Sequence, residues 1–315
     1  MIHVAIHPSQ FPERVRADLI DSLRRREIRH KFHYDSYKQA QKWLAVHEAH
    51  SPARTDSNTR QIYEDAFKQV ADGLGDASVQ VIGLGCGGGQ KDVAFLQNLS
   101  ASGCQSIYTA VDVSLPLVIT ARERAKAHAT QTRGLVCDLE IADDIKDELC
   151  ECSVSRRVFT FFGMIPNSEP DVILPRLARL HSRGDRLLLS ANLAPGKDYR
   201  AGVEHVRGQY DNAATADWLL TFLYDLGVER GDGEMKFGIE EAKGLLRIRA
   251  DFQFSNARKL RLDDETFAFK PGESIRLFYS YRYTPDRLSA ELARHGWSIS
   301  RQWISPSGEE GVFLI

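Results

Sequence analysis

Long apolar runs are missing from this sequence: none approaches the ~20 residues that cross a bilayer, and Met1 to Phe11 lacks the basic, apolar and small-residue order of a secretory leader. Both absences predict a cytoplasmic protein that does not engage a membrane. Charge of one sign is missing too. Lys and Arg number 41 against 43 Asp and Glu, a formal net charge of −2, so no general field draws the chain to nucleic acid. Cysteine is scarce: Cys86, Cys104, Cys137, Cys150 and Cys152 make an odd five without a CxxC pair. Cys150 and Cys152 stand too close for ordinary chelation by both thiols, so reduced thiols and no metal are expected. With 11 Pro and 23 Gly there is no low-complexity bias, which removes collagen and disorder. What remains is an ordinary globular composition in 315 residues, enough for two lobes, and a small-molecule partner is expected.

Helical periodicity comes first. Val15, Leu19 and Leu23 share a stripe within 13–29, a second helical stretch covers 40–47, and Asp56 or Ser57 is placed to cap a helix carrying Ile62, Ala66, Val70 and Leu74. From residue 79 the pattern becomes strand, glycine turn, helix. VQVIGLG, SIYTAVDVS, GLVCDL, RRVFTFFGM and DRLLLSANL are five strand signals alternating with helices, which predicts an α/β, doubly wound, Rossmann-like parallel sheet. Alternation is lost over 196–275, where helix-like and antiparallel-strand pieces suggest an inserted α+β lobe. The expected organisation is an N-terminal helical segment (1–75), a cofactor domain (76–195), the insertion (196–275) and a C-terminal part completing the sheet (276–315).

At the first strand-to-helix junction stand Gly83, Gly85 and Gly87 with Lys91, where absent β-carbons let backbone approach a ligand. No Lys-Ser or Lys-Thr pair follows a second spaced glycine, so this is not a P-loop. Asp112 ends the next strand 27 residues beyond Gly85, placed to accept both ribose hydroxyls of a nucleoside cofactor. That spacing leaves NAD and S-adenosylmethionine open. A second acidic strand end, Asp138, suits an adenine amino group, and with a lysine at the helix start it favours the methyl donor.

In order along the chain, LIDSL with KFHYDS, SPARTD, GLGCGGGQKD, VDVS, FFGMIPN, QYDNAATADWLL and FKPGESIRLFYSYRYTPDRL resemble a class I S-adenosylmethionine methyltransferase. More narrowly, the chain is similar to the family containing the histidine-specific N-methyltransferase of ergothioneine biosynthesis and the dimethylallyltryptophan N-methyltransferases. The resemblance implies a substrate lobe built from the N-terminal helices plus the insertion. It places Gly83, Gly85, Gly87 and Lys91 on the donor turn, Asp112-Val113 at the ribose, Asp138-Leu139 at the adenine, and Phe162-Gly163 beneath the donor. Asn167 and Tyr210 fall on acceptor-binding positions. The departures bear on substrate. Where the histidine enzymes hold the imidazole with a Glu and a Ser, this chain has Phe278 and keeps Ser280; His50-Ser51 replace paired tyrosines, Asn192 replaces an Asp, and Gly83 replaces the usual acidic first residue of the turn.

Removing a carboxylate partner leaves an imidazole N–H unpaired, at a cost of about 1–3 kcal/mol. An amine or amino acid derivative other than histidine is therefore expected. Methyl transfer requires an oriented, desolvated nucleophile, so positioning dominates. Tyr210 and Asn167 are expected to orient the acceptor, with Tyr34 and His50 forming a wall and His50 a candidate proton acceptor. Tyr279, Tyr281 and Tyr283 are expected to pack on one strand face. Two readings stay open beside N-methylation: O-methylation of a small molecule, and donor binding without catalysis.

Overall fold

The computed structural model describes residues 3–75, 77–150, 154 and 156–315. Cys152 lies outside the described residues; Cys86, Cys104, Cys137 and Cys150 are free thiols.

The chain starts with β1 (Ala5–Ile6), α1 (Pro12–Arg25), α2 (Tyr37–His50), α3 (Pro52–Thr55) and α4 (Ser57–Asp72). A reciprocal cap fixes the start of α2: Ser36 Oγ accepts from the Gln39 N–H while the Gln39 side chain accepts from the Ser36 N–H. Asp56 caps α4, accepting from the Asn58 and Thr59 N–H groups as expected. Alternation then runs β2 (Val79–Leu84), α5 (Gln90–Ala101), β3 (Ser106–Asp112), α6 (Leu115–Ala125), β4 (Gln131–Val136), α7 (Lys146–Leu149), β5 (Arg156–Phe162), α8 (Pro170–Leu180) and β6 (Arg186–Asn192). Every residue of β2 is buried, as a strand covered by helices on both faces requires.

Then come α9 (Tyr199–Val206), α10 (Ala213–Asp225), β7 (Gly233–Ala242), β8 (Leu245–Phe254), β9 (Arg258–Leu262), β10 (Glu265–Phe269) and β11 (Ser274–Arg282). The tail is α11 (Pro285–Arg294), β12 (Arg301–Ile304) and β13 (Glu310–Leu314). The large sheet has the order β1-β4-β3-β2-β5-β6-β13-β12. β1 to β6 are parallel; β13 runs antiparallel to both its neighbours. From β2 the chain winds outward to β4, then returns to β2's other side with β5. A ligand crevice is expected beyond the carboxyl ends at that reversal.

Three boundaries differ from the sequence expectation. β1 adds a parallel strand outside β4 through Ala5↔Leu135 and Ile6↔Val136, although two exposed residues carry no alternation to announce it. β11 does not complete the large sheet. It pairs antiparallel with β8 in a separate sheet, β11-β8-β7, so the inserted lobe extends to about residue 282. Finally, only part of the N-terminal segment joins the lobe. Ile20, Leu23 and Phe32 pack with Trp218, Phe252 and Phe278 in the lobe core, whereas Ile62, Phe67 and Val70 of α4 pack against the large sheet.

Candidate functional site

One cavity opens at the reversal point, between the glycine turn after β2, the end of β5, helix α2 and the lobe. The turn depends on missing side chains. Gly85 and Gly87 have φ of 64° and 51°, and a β-carbon on Gly87 would lie 2.6 Å from the Trp43 ring. Gly83 has a different reason to be glycine: a β-carbon there would meet the Asp92 carboxylate and the Tyr108 hydroxyl. Asp92, in the first turn of α5, thus brings a carboxylate to the cavity wall beside the position where the resemblance expected an acidic side chain. It is 3% exposed and accepts from Tyr108 Oη at 2.6 Å and Thr160 Oγ1 at 2.7 Å.

Asp112 ends β3 at the same wall. Its carboxylate accepts the Gly87 N–H at 2.9 Å and the Ser114 N–H at 3.0 Å, binding turn and strand end together. Burial pushes it up to about 6, against the backbone hydrogen bonds that favour the anion. Burial also pushes Asp92 up to about 6, against bonds from Tyr108 and Thr160. The sign follows from the raised values. Each group's stabilising contribution is complete below pH ~4 and is lost as pH rises through 6. A ligand donating hydroxyls to Asp112 prefers the anion, so its affinity runs the other way. The affinity of such a ligand should fall roughly tenfold between pH 7 and pH 5, read by calorimetry with S-adenosylhomocysteine as the probe, and Asp92→Asn should retain the part due to Asp112.

The opposite half of the cavity is aromatic. Tyr34 packs on Trp43 at 5.6 Å and Trp218 at 5.4 Å, Tyr210 stacks on Phe278 at 5.7 Å, and His30 stacks behind Phe278 at 4.8 Å. Trp218 is fixed by its indole N–H, which donates to the His33 carbonyl. Burial holds the Tyr34 hydroxyl well above its ordinary value, with the nearby Asp112 carboxylate adding to the shift, so it is a neutral donor. The Tyr210 hydroxyl is 3.3 Å from Ser280 Oγ. Asn167 sits in a 3-10 turn (Ile165–Asn167), where its Nδ2 donates to the Gly163 carbonyl at 3.4 Å. Its Oδ1 is buried with no partner among the described residues.

The structure gathers Gly85, Gly87, Lys91, Asp112, Val113, Phe162 and Gly163 around one cavity together with Tyr34, His50, Asn167, Tyr210 and Phe278. Gly83 lies behind the cavity wall, and Ser280 reaches the site only through Tyr210. Lys91 is already engaged: its ammonium donates to Tyr63 Oη at 2.5 Å and to Glu310 at 3.2 Å. Asp138 and Leu139 are not on the wall. The Asp138 N–H donates to Ser9 Oγ, its carboxylate pairs with the Lys31 ammonium at 3.2 Å, and Leu139 is buried in the core beneath the sheet. Tyr281 of β11 and Tyr283 just beyond its end are fully buried in the core under the large sheet, with Tyr279 packed against that cluster. Asn212 caps α10 through the Thr215 N–H.

Sequence reasoning missed Trp43, His47 and Asp92. The first two carried a signal, since positions 43, 47 and 50 share one face of α2. Burial, with the nearby Lys91 and Arg54 cations, lowers His47 to about 3 and keeps it neutral.

A model of the family described as histidine-specific methyltransferase, SAM-dependent, matches residues 15–315. No curated protein matches the chain. Among solved structures, it is similar to the Burkholderia thailandensis 1,6-didemethyltoxoflavin-N1-methyltransferase, with bound 1,6-didemethyltoxoflavin and S-adenosylhomocysteine (14% identity, TM-score 0.43, 88% of this chain and 87% of that one). It is also similar to the mitomycin 7-O-methyltransferase MmcR (17%, 0.41, 97% and 68%) and the plantazolicin methyltransferase BpumL in complex with SAH (11%, 0.39, 72% and 83%).

Proposed function

The chain belongs to the histidine-specific, SAM-dependent methyltransferase family, and from that premise we propose that it N-methylates a small amine or amino acid derivative other than histidine. S-adenosylmethionine supplies an electrophilic methyl group on a sulfonium. The residues present fit that donor: Gly85 and Gly87, held at positive φ against the Met164 and Trp43 side chains, present bare backbone to the cavity, and Asp112 has lone pairs beyond its two backbone bonds. These residues would hold it, with Phe162 and Gly163 below.

The chain's own part is orientation and exclusion of water. Asn167 Oδ1, lacking a partner, accepts an N–H of the acceptor and turns the nitrogen lone pair toward the donor. Tyr210, steadied by Ser280, bonds the acceptor's polar end. Tyr34, Trp43, Trp218 and Phe278 present apolar faces that favour the neutral, nucleophilic amine over its ammonium form. His47, held neutral, and His50 complete the α2 wall.

The observation that carries the reading is Phe278. It is 3% exposed and stacked between His30 and Tyr210, where the resemblance places the imidazole-binding carboxylate. An imidazole N–H directed there has a ring face to meet and no acceptor. The test is methyl transfer from S-adenosylmethionine to a panel of amino acids and aromatic amines, followed by mass spectrometry. Mono- or polymethylated product is expected with an apolar or aromatic amine and none with histidine; efficient trimethylation of histidine overturns the reading.

A further inference from the structure

We propose that Arg282 is a specificity-determining residue that makes the acceptor site select an anionic group, a carboxylate in the simplest case, on the molecule to be methylated. The inference rests on the amine-methylating reading above and adds a charge requirement to it. Arg282 is the largest side chain the fold buries completely, at 0% exposure. None of its three guanidinium nitrogens has a hydrogen-bond partner among the described residues. A buried cation in that condition is costly unless an anion completes it.

Among the described residues none pairs with it. Across the sheet it faces Leu246, in an apolar cluster that includes Ala194, Val203 and Ile248. Along β11 it alternates onto the same face as Phe278 and Ser280, the two positions that set the acceptor end of the cavity. Its guanidinium lies over the Tyr210 ring, 4.8 Å from the centroid. A cation on that face draws charge from the ring, so the Tyr210 hydroxyl is a stronger donor toward an anion in the cavity. With Asn167 Oδ1 free to take an N–H, the two ends of an amino acid have separate receivers. Arg282 acts through Tyr210 and is a positioning residue, not a catalytic one.

The test uses the full chain loaded with S-adenosylhomocysteine, and matched probes: L-phenylalanine, L-tryptophan and 3-phenylpropionate against phenethylamine and tryptamine. Calorimetry and thermal shift of wild type, Arg282→Met and Arg282→Lys give the readouts. The expected result is that at least one acid binds tenfold or more tightly than its decarboxylated partner. Arg282→Met should abolish that preference while changing S-adenosylhomocysteine affinity less than twofold, and Arg282→Lys should restore part of it. For acceptors that turn over, the loss should fall on KM rather than kcat. The proposal is overturned if the amines bind as well as the acids, if no acid binds the loaded wild type, or if Arg282→Met weakens both classes equally. Should the wild type fail to bind S-adenosylhomocysteine at all, the methyltransferase reading itself fails, which is a separate outcome.

Discussion

Asp112→Ala should lower affinity for S-adenosylhomocysteine by two to three orders of magnitude, about 3–4 kcal/mol, with little change in acceptor preference. Two losses combine in this one change. The carboxylate is placed to take hydroxyl donors from the ligand, and charge-assisted bonds of this kind contribute roughly 1.5–3 kcal/mol each. It also accepts the Gly87 and Ser114 N–H groups, so its removal frees the turn proposed to hold the donor. Asp112→Asn separates the two, because the amide oxygen can still accept one backbone N–H; it should retain the fold and lose about tenfold to a hundredfold in affinity. Since the buried carboxyl stands at about 6, raised by burial, the alanine variant should also lose its share of the affinity change between pH 5 and 7. Calorimetry at the two pH values decides this. An Asp112→Ala protein binding within threefold of wild type at pH 7 removes this residue from the donor site.

Phe278→Glu is expected to make the second large change, in opposite directions for stability and specificity. Phe278 is nearly fully buried between two rings, so a carboxylate there loses solvation and packing together, a cost of about 3 kcal/mol in the ligand-free protein. His30 offsets part of it. Its Nδ1 has no partner among the described residues, and burial keeps its ring neutral, with its value lowered to about 3 and the nearby His33 and the Arg247 and Arg276 cations adding to the shift. A carboxylate introduced beside it would draw a proton onto that imidazole. The variant should melt several degrees below wild type and gain back stability when histidine and S-adenosylhomocysteine are added together, a response the wild type lacks. Phe278→Gln supplies an acceptor without the charge and should show a smaller loss and a smaller gain. If neither variant responds to histidine, position 278 does not govern acceptor choice.

How far the sequence led depended on whether a feature was local. The glycine turn was legible because glycine, strand end and helix start lie within nine residues, and the place of Asp112 beside it because a strand end has a predictable spacing from it. Gly83 was legible only as a departure. Its explanation, the Asp92 carboxylate folding back into the same space, needs a contact that no periodicity encodes. β11 reads equally well as part of either sheet, since alternation specifies a strand but not its neighbour. Arg282 looked like an ordinary polar residue in an aromatic strand; only burial reveals an unpaired charge. Asp138 shows the reverse, a strand-end carboxylate in the expected place whose carboxylate and backbone N–H are taken by Lys31 and Ser9 from the N-terminal segment.

That N-terminal segment has a practical bearing on any shortened version of the protein. The family match begins at residue 15, yet Ala5 and Ile6 lie along β4, the His7 N–H donates to Val136, and Ser9 receives the Asp138 N–H. A fragment cut at the family boundary would leave β4 as a bare edge, with its row of amide and carbonyl groups open to a strand from another molecule. Such a fragment should self-associate more readily than the full chain, in a concentration-dependent way that sedimentation would read.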